Sequence, residues 1–490
     1  MKYLNRYKYY ILLFLFVIIG SYYRVHNLST ESLWLDETIS LKFAEKPLLQ
    51  LIYKTANDVH PPLYYVILHY WIKYFGIDEY GSRLLSVVFG VLLIIAVFFL
   101  AKYLFDDNVA IITSLLVTVS VFHIKYSQET RGYSLLALLS VLSFYYFLKF
   151  IDNGKKNAVP YIFLSAMLIY THVFGMFVLL IQFFYAVFLS ISKKINFEIV
   201  KGILFNFASI FVLFIPWIFI FYSQIRRVQK GFWIRKPDIT TLYFNFVEFA
   251  GSYFNKYAIL LAALFLIFAI LGFFIVIRNK NSKERQWIFT LQSNEKIILL
   301  GLWLVLPIAL PYTISRYSEA IFNSKYAISS SIPFFILVSA GIMNFRKYIV
   351  IPLVILIFYL STLSIESYFE KDHKEQWRET TSYIKEKFQP DDLIVVYPWD
   401  SKLYAFDYYF NKNEKKTDLL TFDWESIKDK SFLSTIEASE AKRIWMVFRY
   451  QDYDGAIDVM KRNNYILSDE KKFHGVTVYF MEKKDSLTKL

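Results

Sequence analysis

Two adjacent carboxylates, Asp36 and Glu37 in Leu33-Trp34-Leu35-Asp36-Glu37-Thr38, follow the first membrane-length apolar run of this chain almost at once. Acidic groups placed there can deprotonate a nucleophile or hold a cation, whereas an ordinary lipid-embedded helix end favours aromatic and basic anchors. The plainer reading is a solvated loop or helix first turn, where Asp and Glu complement the helix dipole. A third carboxylate, Glu129, lies in Gln128-Glu129-Thr130-Arg131, between apolar runs that end near His123 and begin near Tyr133. So short a connection holds Glu129 and Arg131 at the membrane surface, where Glu129 could approach Asp36 from a separate loop. The two could then divide into a base and an orienting group, and Asp36 and Glu129 could equally hold a divalent metal ion. A local ion pair of Glu129 with Arg131 or Lys125 fits the same spacing.

The elements that must position these groups are membrane helices. A chain of 490 residues that is 56% hydrophobic and 20% aromatic, with repeated apolar stretches of about 20 residues, is a polytopic α-helical membrane protein. The sequence has no cysteine, which rules out disulfides, thiolate metal sites and cysteine nucleophiles. Its 54 Lys and Arg against 41 Asp and Glu, a net charge of +13, point to positive-inside loops and to anionic lipid or phosphate partners. Nucleic acid is the poorer partner, because no basic block separates from the apolar runs.

The first run, Tyr9 to Tyr23, follows Lys2, Arg6 and Lys8, and no small-residue cleavage pattern follows it, so it reads as a signal anchor. Further spans read at about 84–104, 109–123, 133–150, 158–173, 174–192, 203–222, 257–277, 296–314, 326–344 and 347–364, about eleven in all. The segment His60 to Phe75 opens with two prolines and carries His69 and Lys73, which suits an interfacial or re-entrant helix. With that segment not crossing, Lys155-Lys156, Lys193-Lys194, Arg278 with Lys280, Lys283 and Arg285, and Arg346-Lys347 all fall inside. The expectation is a multi-pass protein of the cell membrane, with a cytoplasmic N-terminus and with the acidic pair and the C-terminus external.

This topology sends Asp36-Glu37, His60-Pro61-Pro62, Arg83, Tyr126 to Arg131, His172, Arg226-Arg227, Arg235-Lys236, Arg316 and Lys325-Tyr326 to the outer face. Outer basic residues run against the positive-inside bias and call for an anionic ligand. Phosphate suits the planar fork of Arg and the compact charge of Lys. Long outer loops escape the charge rule, which competes for the loop of about 223–256 and less so for Arg131 and Lys325, each within a few residues of a span.

Taken in order, Trp34-Leu35-Asp36-Glu37, His60-Pro61-Pro62-Leu63-Tyr64-Tyr65, Arg83, Tyr126-Ser127-Gln128-Glu129-Thr130-Arg131-Gly132-Tyr133, Tyr170-Thr171-His172-Val173-Phe174-Gly175, Asn323-Ser324-Lys325-Tyr326 and Lys374-Glu375-Gln376-Trp377-Arg378-Glu379 form a pattern. The pattern resembles the bacterial GT-C membrane glycosyltransferases related to protein O-mannosyltransferases (glycosyltransferase family 39-like) and to the lipid A aminoarabinose transferase. Its order across some 350 residues is more specific than any one piece. The resemblance implies a GT-C fold with outer juxtamembrane helices, a donor sugar carried on polyprenyl phosphate, and an extracytoplasmic acceptor hydroxyl on a protein, a lipid or a cell-surface glycan. It implies Asp36 as general base, Glu37 as its positioning partner and Glu129 as a second acidic group. Arg83, Arg131, Lys325, Arg226 and Arg227 would then meet the departing phosphate, and His60, Tyr64, Tyr126, Gln128 and His172 would contact substrate. An inverting single displacement of a hexosyl or pentosyl group follows from this reading. Phosphate leaves as an anion, so no general acid is required.

Beyond about residue 365 the composition turns charged, so the chain divides into a membrane domain, 1–364, and an extracytoplasmic soluble α/β domain, 365–490. Strands read at Asp392-Tyr397, Arg443-Phe448 and Gly475-Phe480, with amphipathic helices near 376–387, 401–411 and 454–463. This domain is expected to cover the catalytic cavity or to recruit the acceptor. A lipid-linked sugar transporter or flippase is the rival class, but its polar groups should gather near mid-membrane, whereas here they gather at outer ends.

Overall fold

The computed structural model describes residues 2–231, 233–251, 256–278, 287–291, 295–411, 419–420, 431–450 and 454–484. Lys280, Lys283 and Arg285 lie outside them. The chain forms two compact units, one of Met1–His26, Lys46–Gly76 and Gly81–Glu370, the other of Asn27–Glu45, Ile77–Tyr80 and Lys371–Leu490.

The first unit is helical because lipid leaves no partner for backbone N–H and C=O groups other than the helix itself. Among the described residues seven helices are long and apolar enough to cross a membrane: Tyr7–Val25, Glu79–Leu104, Tyr133–Thr171, Phe197–Val228, Glu295–Tyr317, Tyr326–Met343 and Lys347–Phe369. An eighth is made by Asp107–Val119 with Val121–Ser127, a pair bent by 58°. The expected eleven crossings would further require the 39-residue Tyr133–Thr171 to cross twice and the shorter Gly175–Ile191 and Lys256–Gly272 to cross as well. Leu63–Phe75 is a helix of 13 residues, too short to span and in keeping with the interfacial reading. Two short strands, β1 (Phe274–Arg278) and β2 (Trp287–Leu291), pair antiparallel.

The bent pair needs a partner for the carbonyls its break releases. Arg24, fully buried, supplies it: its guanidinium donates to Val117 O at 3.0 Å, Thr118 O at 3.3 Å and Gly20 O at 3.1 Å, and Nε reaches Ser127 Oγ at 3.2 Å. The loop carrying Gln128, Glu129 and Arg131 follows this braced helix directly. Further on, the helices Lys256–Gly272 and Ser331–Met343 meet through glycines. A Cβ on Gly272 would stand 2.1 Å from Leu337 O, and one on Gly341 would stand 1.9 Å from Phe268 O. That close approach fixes the helix that begins just after Lys325.

In the second unit a five-stranded sheet runs in the order β4-β3-β5-β7-β6, with β3 Leu393–Tyr397, β4 Leu419–Leu420, β5 Arg443–Arg449, β6 Tyr465–Phe473 and β7 Val476–Lys483. β3 lies parallel to β4 and β5, while β7 runs antiparallel to β5 and β6. Alternate residues of the strands face two separate cores. Val395, Met446 and Phe448 pack with Met460 and Tyr479 on one face, and Ile394, Val396, Trp445 and Val447 pack with Trp377, Phe406 and Leu35 on the other. Burial on both faces is why these strands read as unbroken apolar runs. Leu35 belongs to the helix Leu35–Ala44, so the packing that seats this core also seats the helix bearing the acidic pair.

Candidate active site

Asp36 and Glu37 occupy the first turn of Leu35–Ala44, where unpaired N–H groups favour negative charge. Glu37 folds back onto its own helix end. Its Oε2 accepts from Trp34 N–H at 3.3 Å while its N–H donates to Trp34 O at 3.0 Å. Its carboxylate is fully buried and stands 3.7 Å from Lys374 Nζ. Asp36, one residue earlier, is only partly buried, which leaves it the more accessible of the two.

A residue that the sequence marked only as part of a resemblance, Glu375, fixes this helix end. Its buried carboxylate accepts from Leu35 N–H at 3.2 Å, Trp377 Nε1 at 2.5 Å and Arg449 Nε at 2.6 Å. Arg449 also approaches Asp400, at 3.8 Å. Burial works against the Arg449 charge, but Glu375, Asp400 and Asp36 together hold the guanidinium above its ordinary pKa. The Trp377-Arg378 element thus has two tasks. Trp377 secures Glu375, and Arg378 clamps the chain ahead of the acidic pair through Ser29 O, Thr30 O and Glu79. Arg449, which no motif signals, lies 412 residues beyond Glu37 in sequence and is found only through the fold.

The cations assemble in the first unit. Arg131, buried, donates to His60 Nε2 at 3.0 Å and to Tyr65 Oη at 3.2 Å. A guanidinium can only donate, so His60 Nε2 accepts and the ring proton sits on Nδ1, 3.0 Å from Asp58 Oδ2. Burial pushes the Asp58 carboxyl up. The hydrogen bond from His60, the Val59 N–H and the charge of Arg131 outweigh it and hold the group below its usual range. Arg227 donates to Asp58 O at 2.8 Å and so braces the same loop. His172 accepts from Phe174 N–H through Nδ1 at 3.2 Å, and its ring lies 5.8 Å from that of His60 and 4.9 Å from that of Tyr326. Burial drives His172 well below the ordinary histidine pKa, with the charges of Arg131 and Lys325 adding to the effect, so it is a neutral imidazole. Lys325 Nζ stands 5.4 Å from the Tyr133 ring centre, 5.3 Å from Trp233 and 5.7 Å from Tyr326. His60, Arg131, His172, Arg227 and Lys325 are therefore one cluster.

Other candidates are placed differently. Arg226 is exposed and bonds Tyr222 Oη of its own helix at 2.7 and 2.9 Å. Gln128 caps the C-terminal end of Lys2–Val25, donating to Tyr23 O, Arg24 O and His26 O. Tyr64 bonds Ser86 at 2.9 Å, and Tyr126 packs edge-on against Phe122 and Tyr133. Arg83 and Glu129 are buried in the first unit, while Asp36 belongs to the second. Among the described residues no group of three or more His, Cys, Asp or Glu could hold a metal ion.

Residues 59–220, a third of the chain, match the family profile described as dolichyl-phosphate-mannose-protein mannosyltransferase. ArnT from Cupriavidus metallidurans in the apo state superposes with a TM-score of 0.61 at 11% identity, over 95% of this chain and 97% of that one. The same protein bound to undecaprenyl phosphate gives 0.57 at 12% over the same shares. The archaeal oligosaccharyltransferase AglB from Archaeoglobus fulgidus, in complex with an inhibitory peptide and a dolichol-phosphate, gives 0.56 at 12% over 97% of this chain and 74% of that one. The chain has the GT-C glycosyltransferase fold. No curated protein matches it by sequence. The GT-C resemblance read from the motifs is borne out at the level of fold, and the profile match takes in His60, Arg83, Glu129, Arg131 and His172. The acidic pair and Lys325 lie outside the matched residues.

Proposed function

We propose that this GT-C protein transfers a hexosyl or pentosyl group from a polyprenyl-phosphate donor to an extracytoplasmic hydroxyl on a protein, lipid or glycan, with its N-terminus cytoplasmic. The observation that carries the reading is the cluster of Arg131 and Lys325, both buried, set among aromatic rings and the neutral His172 at helix ends of the membrane unit. The acceptor oxygen attacks the anomeric carbon, the bond from that carbon to the phosphate oxygen breaks, and the acceptor proton passes to Asp36. The donor is a singly charged phosphodiester and the product a phosphomonoester. One unit of negative charge therefore develops on the phosphate, and pre-set cations favour the step most where that charge grows. Attack opposite the leaving phosphate inverts the anomeric centre.

In this reading Arg131 and Lys325 take the phosphate, His60 holds Arg131, Arg227 braces the loop that carries His60, and Glu37 and Glu375 hold the helix end on which Asp36 stands. The test is donor turnover. Membranes containing the protein and a radiolabelled polyprenyl-phosphate sugar release polyprenyl phosphate, and Asp36→Asn abolishes the release. Turnover unaffected by that substitution removes Asp36 as the base, and sugar movement without bond cleavage shifts the assignment to transport.

A further inference from the structure

A cavity of about 590 Å³ opens in the first unit between the segment Trp233 to Pro237, the helix Ile239–Ala250 and residues 322–324. Its volume lies in the range of small-molecule sites, about 300–1,000 Å³. Asn245 lines it, and that side chain is anomalous: both amide atoms are buried, and neither has a hydrogen-bond partner among the described residues. Buried amides in folded proteins are nearly always paired, so an unpaired one on a cavity wall marks a place for a ligand.

The chemistry of the walls selects the ligand. An amide presents a donor and an acceptor side by side, and a hydroxyl, which both donates and accepts, satisfies either half. An anionic oxygen would meet the NH2 but be repelled by the carbonyl, and an acyl chain would leave both atoms unmet. Phe322 is buried on one wall, and Phe244 and Trp233 present further rings suited to the apolar face of a sugar. Arg235 and Lys236 are exposed and belong to the rim. Trp233 also carries Lys325 Nζ over its ring at 5.3 Å, which ties this wall to the cation cluster.

We infer that this cavity is a carbohydrate subsite, in which Asn245 reads the hydroxyls of a single sugar ring. The inference rests on the proposed transferase reading for its place in a reaction, but its test does not depend on turnover. The chain contains no cysteine, so Ser324→Cys on the cavity wall gives the full-length protein one thiol whose maleimide labelling reports occupancy. Methyl glycosides of mannose, glucose, galactose and arabinose are the probes, with betaine and inorganic phosphate as controls. At least one glycoside should slow labelling about fivefold or more while phosphate does not, and adding Asn245→Leu should weaken that protection about tenfold. Thermal stabilisation of the double variant by undecaprenyl phosphate, equal to that of the single variant, shows that it remains folded; Asn245→Asp serves if the leucine variant does not fold. Undecaprenyl phosphate carrying the protecting sugar protects at lower concentration than the free glycoside if the ring belongs to the donor, and gives no such gain if it belongs to the acceptor. Labelling unaltered by every glycoside, or protection that survives loss of the amide, overturns the subsite and leaves a cavity filled by water. A protein that shows protection but no donor turnover keeps the subsite and loses the transferase reading.

Discussion

The buried charges of the two units are set in different surroundings. In the second unit each buried carboxylate meets a cation: Glu37 lies by Lys374, and Glu375 is bonded by Arg449. In the first unit Arg131 donates to the imidazole of His60 and to the Tyr65 hydroxyl, and Lys325 stands above three aromatic rings. A sealed ion pair removes two charges from further use and fixes geometry. A cation that donates to neutral hydrogen-bonding groups or stands over rings can exchange such a contact for an anion that arrives later. The first arrangement suits a support for Asp36 and the second suits a phosphate.

The largest effect expected from this contrast falls on Asp36 itself. Asp36→Asn should lower kcat by about 10³-fold with donor KM nearly unchanged, as loss of a general base does. Single-turnover kinetics with labelled donor measures it. A loss confined to KM would place Asp36 with the phosphate ligands and erase the division of labour between the units.

Glu375→Gln comes next, because it leaves the half-buried Arg449 without its pair to Glu375. Unfolding of the second unit should be easier by about 3 kcal/mol, read by denaturant titration. Removing everything after residue 366 goes further, since Glu375, Trp377 and Arg449 all leave and the helix Leu35–Ala44 loses its seat. Transfer should then vanish while the membrane helices remain folded by circular dichroism. A truncated protein that still turns over donor at full rate would show that the second unit does not support Asp36.

Among the cations, Arg131→Met or Lys325→Met should raise donor KM about 10- to 100-fold, the scale of one or two charge-assisted hydrogen bonds. Arg226→Ala, on the exposed side of the same helix that carries Arg227, should change it less than about twofold. Equal effects of Arg226 and Arg131 would reduce the cluster to general surface charge.

Much of this was legible from local pattern. The apolar runs, the short helix at 63–75 and strands β3, β5 and β7 follow from hydrophobic length and period, which are properties of neighbouring residues. The grouping of His60, Arg131, His172 and Lys325 was legible only as a shared side of the membrane, and the hydrogen bond from Arg131 to His60 is a matter of tertiary geometry. The seat of Asp36 was less legible still. Leu35 packs with Trp377, and its N–H meets Glu375, 340 residues on, a contact with no periodicity to announce it. Arg226 and Arg227 stood as equals in sequence, yet the step of about 100° between consecutive helix residues sends the first to Tyr222 and the second to Asp58. β6 was missed because its polar residues, Ser468-Asp469-Glu470-Lys471-Lys472, belong to an edge strand that carries charge.

The smallest expected effect is one of pH, and its sign follows from His172. The folded protein holds this imidazole well below the value of 6.5 it has when exposed, through burial first and then through the charges of Arg131 and Lys325. Between the depressed folded value and 6.5 the unfolded chain takes up a proton that the folded chain refuses, so acid favours unfolding in that window. The His172 contribution is fully present above about pH 6.5 and is lost progressively as the pH falls below it. His172→Gln, which keeps a hydrogen-bond acceptor near Phe174 N–H but cannot titrate, should flatten this part of the stability curve measured by thermal unfolding at pH 5 to 8. Undecaprenyl phosphate should flatten it too, because an anion bound at Arg131 and Lys325 cancels the field that, together with burial, keeps His172 neutral. A slope that persists in the glutamine variant, or that phosphate leaves untouched, would mean that His172 does not share the electrostatic environment of the two cations.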